Sequence, residues 1–206
     1  SSAASDVYKR QIRYQDINGD GVIDSQDEVA LGYTNMPEIV YGFGATAQWK
    51  NWDFNVFFQG VAHTSFFLAG ASLRSPFSSG SMERSAVNED IYGNVWMSTN
   101  TPEQNDRAIY PRLSLSNQAG SSNNNQTSDW WLRDGSFLRL KNFEIGYTLP
   151  KKLLGKNFIR SLRFYVAANN LLTFCNFKLW DPEKGSSDGS GYPLNRVVTL
   201  GFNINL

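Results

Sequence analysis

The closing segment of the chain alternates strictly. Val198, Leu200, Phe202, Ile204 and Leu206 fall on one side of an extended chain, and Val197, Thr199, Gly201, Asn203 and Asn205 on the other. Successive side chains of a β-strand point to opposite faces, so this period of two commits the segment to a strand with one apolar face. The same pattern recurs upstream. In Tyr41 to Trp49, Tyr41, Phe43, Ala45, Ala47 and Trp49 oppose Gly42, Gly44, Thr46 and Gln48. Lys50 and Asn51 then provide a two-residue turn. The return segment sets Phe54, Val56 and Phe58 against Asn55, Phe57 and Gln59.

A third strand is expected from Phe137 to Leu149, with Phe143, Ile145 and Tyr147 opposite Asn142, Glu144 and Gly146. Leu138 and Leu140 have the wrong parity for that apolar face, and a bulge near Lys141 reconciles them, because one extra residue flips the faces. A fourth, Leu162 to Phe174, places Phe164, Val166 and Ala168 against Arg163, Tyr165, Ala167 and Asn169. Strands of roughly 9 to 13 residues exceed the usual five or six of a globular sheet and suit a tilted bilayer crossing. Connections alternate in length. Those at Lys50–Asn51 and 150–161 are short, whereas 63–136 and 175–196 are long and rich in Ser, Asn and Gly. Short turns alternating with long loops are the habit of outer-membrane barrels. The expected fold is all-β: an antiparallel transmembrane β-barrel segment of about five strands with long extracellular loops, although a secreted β-sandwich would show the same strand alternation.

Composition agrees. Charged residues make up 18% of the 206-residue chain and aromatics 14%, a ring-rich, charge-poor balance for a water-soluble domain. The 19 basic and 19 acidic residues cancel, which gives no electrostatic footprint for nucleic acid. Cys175 and His63 each stand alone, against disulfides, thiolate zinc sites and histidine-based triads. The carboxylate pairs Glu89–Asp90 and Asp181–Glu183 lack any orienting partner in the sequence, so an enzyme ranks last among the readings. Ser1 to Gln11 follows no strand or helix period and resembles an adaptor-derived scar, with native sequence expected upstream of it.

Residues 16–27 fit a calcium-loop pattern, D-x-N-x-D-G-x-I-D-x-x-D. Ca²⁺ takes six to eight hard oxygens, which Asp16, Asn18, Asp20, the Val22 carbonyl, Asp24 and Asp27 would supply, with Gly21 allowing the sharp turn. Asp27 stands where Glu is usual, so bidentate reach and affinity are reduced. A structural calcium site is expected ahead of a metal-free polar turn. The rings of Trp96, Trp130, Trp131 and Trp180 lie in long connections, where stacking on sugars or a partner and plain anchoring of loops weigh equally. Lys151, Lys152, Lys156, Arg160 and Arg163 cluster in or beside a short turn, read as solvated ahead of contact with anionic lipid. The glycine-rich stretch 185–191 has the composition of a flexible loop.

Several segments, in order and spacing, resemble the C-terminal region of the SusC/RagA family of TonB-dependent outer-membrane receptors of Bacteroidota. They are residues 14–27 (YQDINGDGVIDSQD), 37–60 (PEIVYGFGATAQWKNWDFNVFFQG), 128–150 (SDWWLRDGSFLRLKNFEIGYTLP), 161–174 (SLRFYVAANNLLTF), 180–183 (WDPE) and the closing strand. The resemblance implies a barrel of about 22 strands around an N-terminal plug, powered through TonB, and a SusD-like surface lipoprotein that captures glycans or peptides. It implies the bacterial outer membrane as location and outer-membrane lipid as surroundings. The plug and the TonB-contacting segment would lie in sequence not present here. On that frame residues 12–40 form a calcium-loop-like extracellular segment, 41–62 a hairpin, 63–136 a long extracellular loop and 137–206 the last three strands. Asn55, Gln59, Asn142, Glu144, Asn203 and Asn205 become lumen-facing candidates. Thr199, Gly201, Ile204 and Leu206 resemble the signal read by the barrel-assembly machinery, with Leu206 where an aromatic residue is common. The competing expectation is a secreted, calcium-stabilised β-sandwich acting as a carbohydrate-binding module through Trp130, Trp131 or Trp180. In a sandwich, a second sheet would cover the apolar face.

Overall fold

The computed structural model describes residues 11–68, 89–113, 123–124, 126–155, 158–184, 187, 189 and 191–206. Most of the scar-like start, Lys156, the side chain of Asp90 and much of 185–191 lie outside the described residues. The chain forms two compact units. One comprises Ser1–Gly32, Phe67–Arg133 and Ser187–Gly189, and the other Tyr33–Phe66, Asp134–Ser186 and Ser190–Leu206.

The second unit is built on an antiparallel five-stranded sheet, order β1-β2-β5-β6-β7. Its strands are β1 (Ile39–Trp49), β2 (Trp52–Ala62), β5 (Phe137–Thr148), β6 (Ser161–Cys175) and β7 (Val197–Asn205). Two three-residue strands, β3 (Ser65–Phe67) and β4 (Leu132–Asp134), pair separately. The long 63–136 connection is thus less featureless than its composition indicates, and it also carries single-turn to two-turn helices at Glu89–Tyr92 and Pro102–Arg107. The second of these starts on a capping box, in which Thr101 and Gln104 satisfy each other's backbone N–H.

Lys50 and Asn51 turn β1 into β2, with Trp49 paired to Trp52. Lys50 takes a left-handed φ of 55°, unusual for a residue with a Cβ and set here by the tightness of the turn. The parity conflict in the third strand resolves as the alternation requires. Phe57 pairs with Asn142 and Phe58 with Leu140, so Lys141 is left out of the ladder as a bulge. On the other side the register jumps from Leu140↔Leu172 to Asn142↔Asn169, and Asn170 in that excursion has φ 53°.

Because paired residues share a face, the registers settle what each side of the sheet carries. One row runs Trp49, Trp52, Tyr147, Phe164, Phe202 across all five strands. The next rows run Ala47, Phe54, Ile145, Val166, Leu200 and Ala45, Val56, Phe143, Ala168, Val198. Farther from the turns come Phe43, Phe58, Leu140, Leu172 and Tyr41, Gly60, Leu138, Phe174. No position in these rows carries a charge or an amide side chain. Leu140 and Ala168 on the inner strands are buried, whereas the face is open at the turn end and along the edge strands, where Trp49 is 67% exposed, Val198 62%, Leu200 79% and Phe202 62%. That is the opposite of what a sandwich builds.

Candidate functional site

The reverse face is polar and ion-paired. Its rows include Gln48, Asp53, Gly146, Tyr165, Gly201, then Thr46, Asn55, Glu144, Ala167, Thr199, then Gly44, Phe57, Asn142, Asn169, Val197. Asn55, Gln59, Asn142, Glu144, Asn203 and Asn205 all lie on this face. Asn55 pairs with Glu144, Gln59 with Arg139, and Asn203 and Asn205 with Arg163 and Ser161. Asn142 Nδ2 donates to Asn169 Oδ1 at 2.8 Å.

Two arginines organise the face. Arg163 Nε donates to Asp53 Oδ1 at 3.0 Å, and its Nη2 contacts both Asp53 Oδ2 and, at 2.5 Å, Glu144 Oε1. The guanidinium lies against Gly146, where any Cβ would collide with it. Arg163 therefore belongs to this network and not to the basic turn. Arg139 is 1% exposed. Its Nη2 pairs with Asp181 Oδ1, and its Nε faces Glu183 Oε2 at 3.3 Å without hydrogen-bond alignment. Lys141 Nζ reaches Glu183 Oε1 at 3.3 Å. Asp181 and Glu183 are thus charge partners of basic residues and not a catalytic pair. Beside them Phe177 packs edge-on against both Phe66 and Trp180, with ring centroids 5.0 and 4.8 Å apart. Trp180 is an anchor of its loop. Neither arginine stands out from sequence alone; the available signals were a charged residue inside each strand and a glycine one strand away.

Thr199 and Gly201 lie on the polar face and Ile204 on the apolar one, while Leu206 follows the strand. Gly201 has a packing role of its own: a Cβ there would lie 2.7 Å from Tyr165 Cε1 on the paired strand.

In the other unit the acidic loop closes on itself. Asp16 accepts from the Gly19 and Gly21 N–H groups at 2.6 and 2.8 Å, Asn18 from Asp20 at 2.9 Å, and Asp20 from Val22 at 2.8 Å. Asp27 joins the ends, accepting from Ile17 at 2.8 Å and Asp24 at 2.9 Å. Gly19 and Gly21 hold φ of 78° and 81°, which the winding demands. Bonds from the Asp24, Ile17 and Asn18 backbone hold the Asp27 carboxyl below its ordinary value. Asp16, Asn18, Asp20, Asp24 and Asp27 are hard-oxygen donors within one wound loop, which fits calcium chemistry, although among the described residues no three His, Cys, Asp or Glu side chains converge as a preformed cluster. The loop's stem is tethered where Ile12 N–H donates to Asn124 Oδ1 at 2.9 Å and Tyr14 Oη to the Asn123 carbonyl at 2.5 Å. Trp131, 1% exposed, donates to the Asn124 carbonyl at 3.0 Å, so it too anchors.

No protein-family profile matches the chain. Among curated proteins it is 31% identical to TonB-dependent receptor P26 of Formosa agariphila, over 93% of this chain and 19% of that receptor. It is 30% identical to TonB-dependent receptor P3 of the same organism, over 93% of this chain and 18% of that receptor. TonB-dependent receptor SusC of Bacteroides thetaiotaomicron is 25% identical over 93% of the chain and 17% of its own length. Among solved structures, the RagAB peptide importer in an open-open state superposes with a TM-score of 0.66 at 24% identity, covering 94% of this chain and 20% of that one. The RagAB peptide transporter gives 0.64 at 26% identity, covering 89% and 19%. The chain spans about a fifth of the length of the curated relatives it matches. With one wholly apolar sheet face, one ion-paired face and these likenesses running nearly its whole length, the chain is part of a TonB-dependent receptor of the SusC/RagA type, a family of the bacterial outer membrane.

Proposed function

We propose that this segment is the C-terminal wall of a transmembrane β-barrel in an outer-membrane nutrient importer, with its apolar face in lipid and its polar face lining the lumen. The observation that carries this is the division of the two faces: five rows without a charge on one side, and Asp53, Glu144, Arg139 and Arg163 all on the other. In lipid every strand needs a partner, so the outer edges of β1 and β7 would pair with further strands of the whole receptor. The short turns at 50–51 and 150–161 are then periplasmic. The loop-like segment 12–40 and the connections 63–136 and 175–196 are extracellular.

The cargo is a peptide or a glycan, received from a SusD-like lipoprotein and moved with energy supplied by TonB. Peptide is favoured by the likeness to the RagAB peptide transporter. Nothing in the ion-paired face resembles a nucleophile beside a base, in keeping with transport and not catalysis. Thr199, Gly201, Ile204 and Leu206 serve as the signal for the barrel-assembly machinery. Calcium, held by Asp16, Asn18, Asp20, Val22, Asp24 and Asp27, would rigidify the extracellular segment.

Site-directed labelling of the full-length receptor tests the central claim. In a Cys175→Ala background, fluorophores at Val56→Cys and Asn55→Cys are quenched by lipid-borne and water-soluble agents in turn. Lipid-borne quenching at 56 with aqueous quenching at 55 is expected. Equal aqueous access at both would overturn the barrel reading. Growth of a strain lacking the receptor on peptide or on glycan as limiting nutrient then identifies the cargo class.

A further inference from the structure

The turn end of the sheet combines rings, protruding apolar side chains and positive charge. Trp49, Trp52, Tyr147, Phe164 and Phe202 form one continuous aromatic row beside the turns. Aromatic rings concentrate at the level where hydrocarbon gives way to headgroups. Just beyond this row, Lys50 Nζ lies over the Trp49 ring, 4.7 Å from its centroid. The two short turns adjoin: Asn51 Nδ2 donates to the Thr148 carbonyl at 2.7 Å, and Thr148 N–H to the Asn51 carbonyl at 2.8 Å. The second turn brings Lys151, Lys152 and Arg160, all exposed, together with Leu153 and Phe158, which are 72% and 80% exposed. Arg160 is fixed beside the end of β7 through its N–H to the Asn205 carbonyl at 2.7 Å. None of these four cations has a carboxylate partner among the described ion pairs. Arg163, just after that turn, is ion-paired and turned to the polar face.

We propose that Lys50, Lys151, Lys152 and Arg160 form a docking surface for anionic phospholipid headgroups, seated at the headgroup level by the aromatic row and by Leu153 and Phe158. The apolar side chains dip toward the acyl boundary, as the row above them does, while the cations meet phosphate. A solvated turn has use for lysines but not for a leucine and a phenylalanine this exposed. Continuity with the apolar sheet face and the excess of positive charge select anionic lipid as the occupant. The inference rests on that apolar face being in lipid.

The test is lipid retention by the purified full-length receptor, measured by native mass spectrometry during titration with phosphatidylglycerol or phosphatidylcholine. Wild type is expected to retain phosphatidylglycerol preferentially. Combining Lys50→Gln, Lys151→Gln, Lys152→Gln and Arg160→Gln is expected to reduce that preference by about tenfold or more. Neutralising the exposed Lys178 and Arg107 instead should leave it unchanged. Folding of each variant is checked by heat-modified electrophoretic mobility, and a misfolded quadruple variant is replaced by the Lys151→Gln/Lys152→Gln pair, with a smaller loss expected. Equal retention of both lipids by wild type, or an unaltered preference in the folded variant, overturns the docking surface while leaving the barrel intact. A receptor that retains neither lipid and stays soluble without detergent overturns both.

Discussion

Arg163 on β6 reaches Asp53 on β2 across the whole width of β5, and the strand it crosses presents Gly146 at the crossing point. The ion pair and the glycine are therefore one device. Gly146→Ala puts a methyl group where the guanidinium lies and is expected to displace it from Asp53 and Glu144. Arg163→Met removes the same contacts directly and leaves two carboxylates facing each other. Because the partners are partly exposed, each change should cost about 1–2 kcal/mol. The double variant should lose little more than either alone. Thermal midpoints of the full-length receptor in detergent check this, and simple additivity would separate the glycine from the ion pair.

Gly201 and Tyr165 give a similar pairing with a different consequence. The tyrosine ring occupies the space over the glycine, so Gly201→Ala is expected to lower the yield of folded receptor in the outer membrane. If that loss is one of packing, Tyr165→Ala in the same chain restores much of the yield by vacating the space. If the assembly machinery reads the glycine itself, the second substitution brings no recovery. Counting heat-modifiable receptor in membrane fractions decides between them.

Most of the sheet was legible because one apolar face and one polar face impose a period of two that a strand cannot hide. The bulge at Lys141 follows from parity alone, since Leu140 and Phe143 reach one face only if a residue between them is skipped. Register was less legible: that Trp49, Trp52, Tyr147, Phe164 and Phe202 form a single row depends on pairings between strands far apart in sequence. The same limit hid both arginine networks. Arg163 sits two residues from a basic turn, and its partners lie 110 and 19 residues away. The acidic loop was legible as a local motif, and its end-to-end closure through Asp27 is the part that spacing does not state.

That closure makes the loop sensitive to acid. Asp27 is held as a carboxylate by N–H donors from Asp24, Ile17 and Asn18, so its pKa in the ordered loop lies below the 3.8 of a free side chain. A group depressed on ordering stabilises the loop fully above its unfolded value and loses that contribution as pH falls through the lowered one. Protection of the 17–24 amides, taken relative to the intrinsic exchange rate at each pH, should therefore be greater at neutral pH and fall below pH about 4. Asp27→Asn should lower that protection at every pH. Added calcium is expected to slow exchange in wild type and not in the variant, and no response in either would remove the metal from the account.

Arg139 carries the heaviest single consequence. It is nearly fully buried on the polar face, and its guanidinium holds the Asp181 carboxylate of the loop that follows β6. Its loss strands the Asp181 carboxylate next to Trp180, while Glu183 keeps only Lys141. Removing one partner of a buried pair typically costs about 3–5 kcal/mol. Arg139→Met is expected to release residues 177–184 from the wall, seen as new protease cleavage within that stretch, while the hairpin of β1 and β2 stays protected. Arg139→Lys should rescue poorly, because a single ammonium cannot face two carboxylates from one planar fork. Combining Arg139→Met with Asp181→Asn and Glu183→Gln removes the stranded charge and should recover part of the stability while leaving the loop loose. Stability restored together with full protection of 177–184 would mean that the aromatic cluster, and not the ion pair, holds the loop in place.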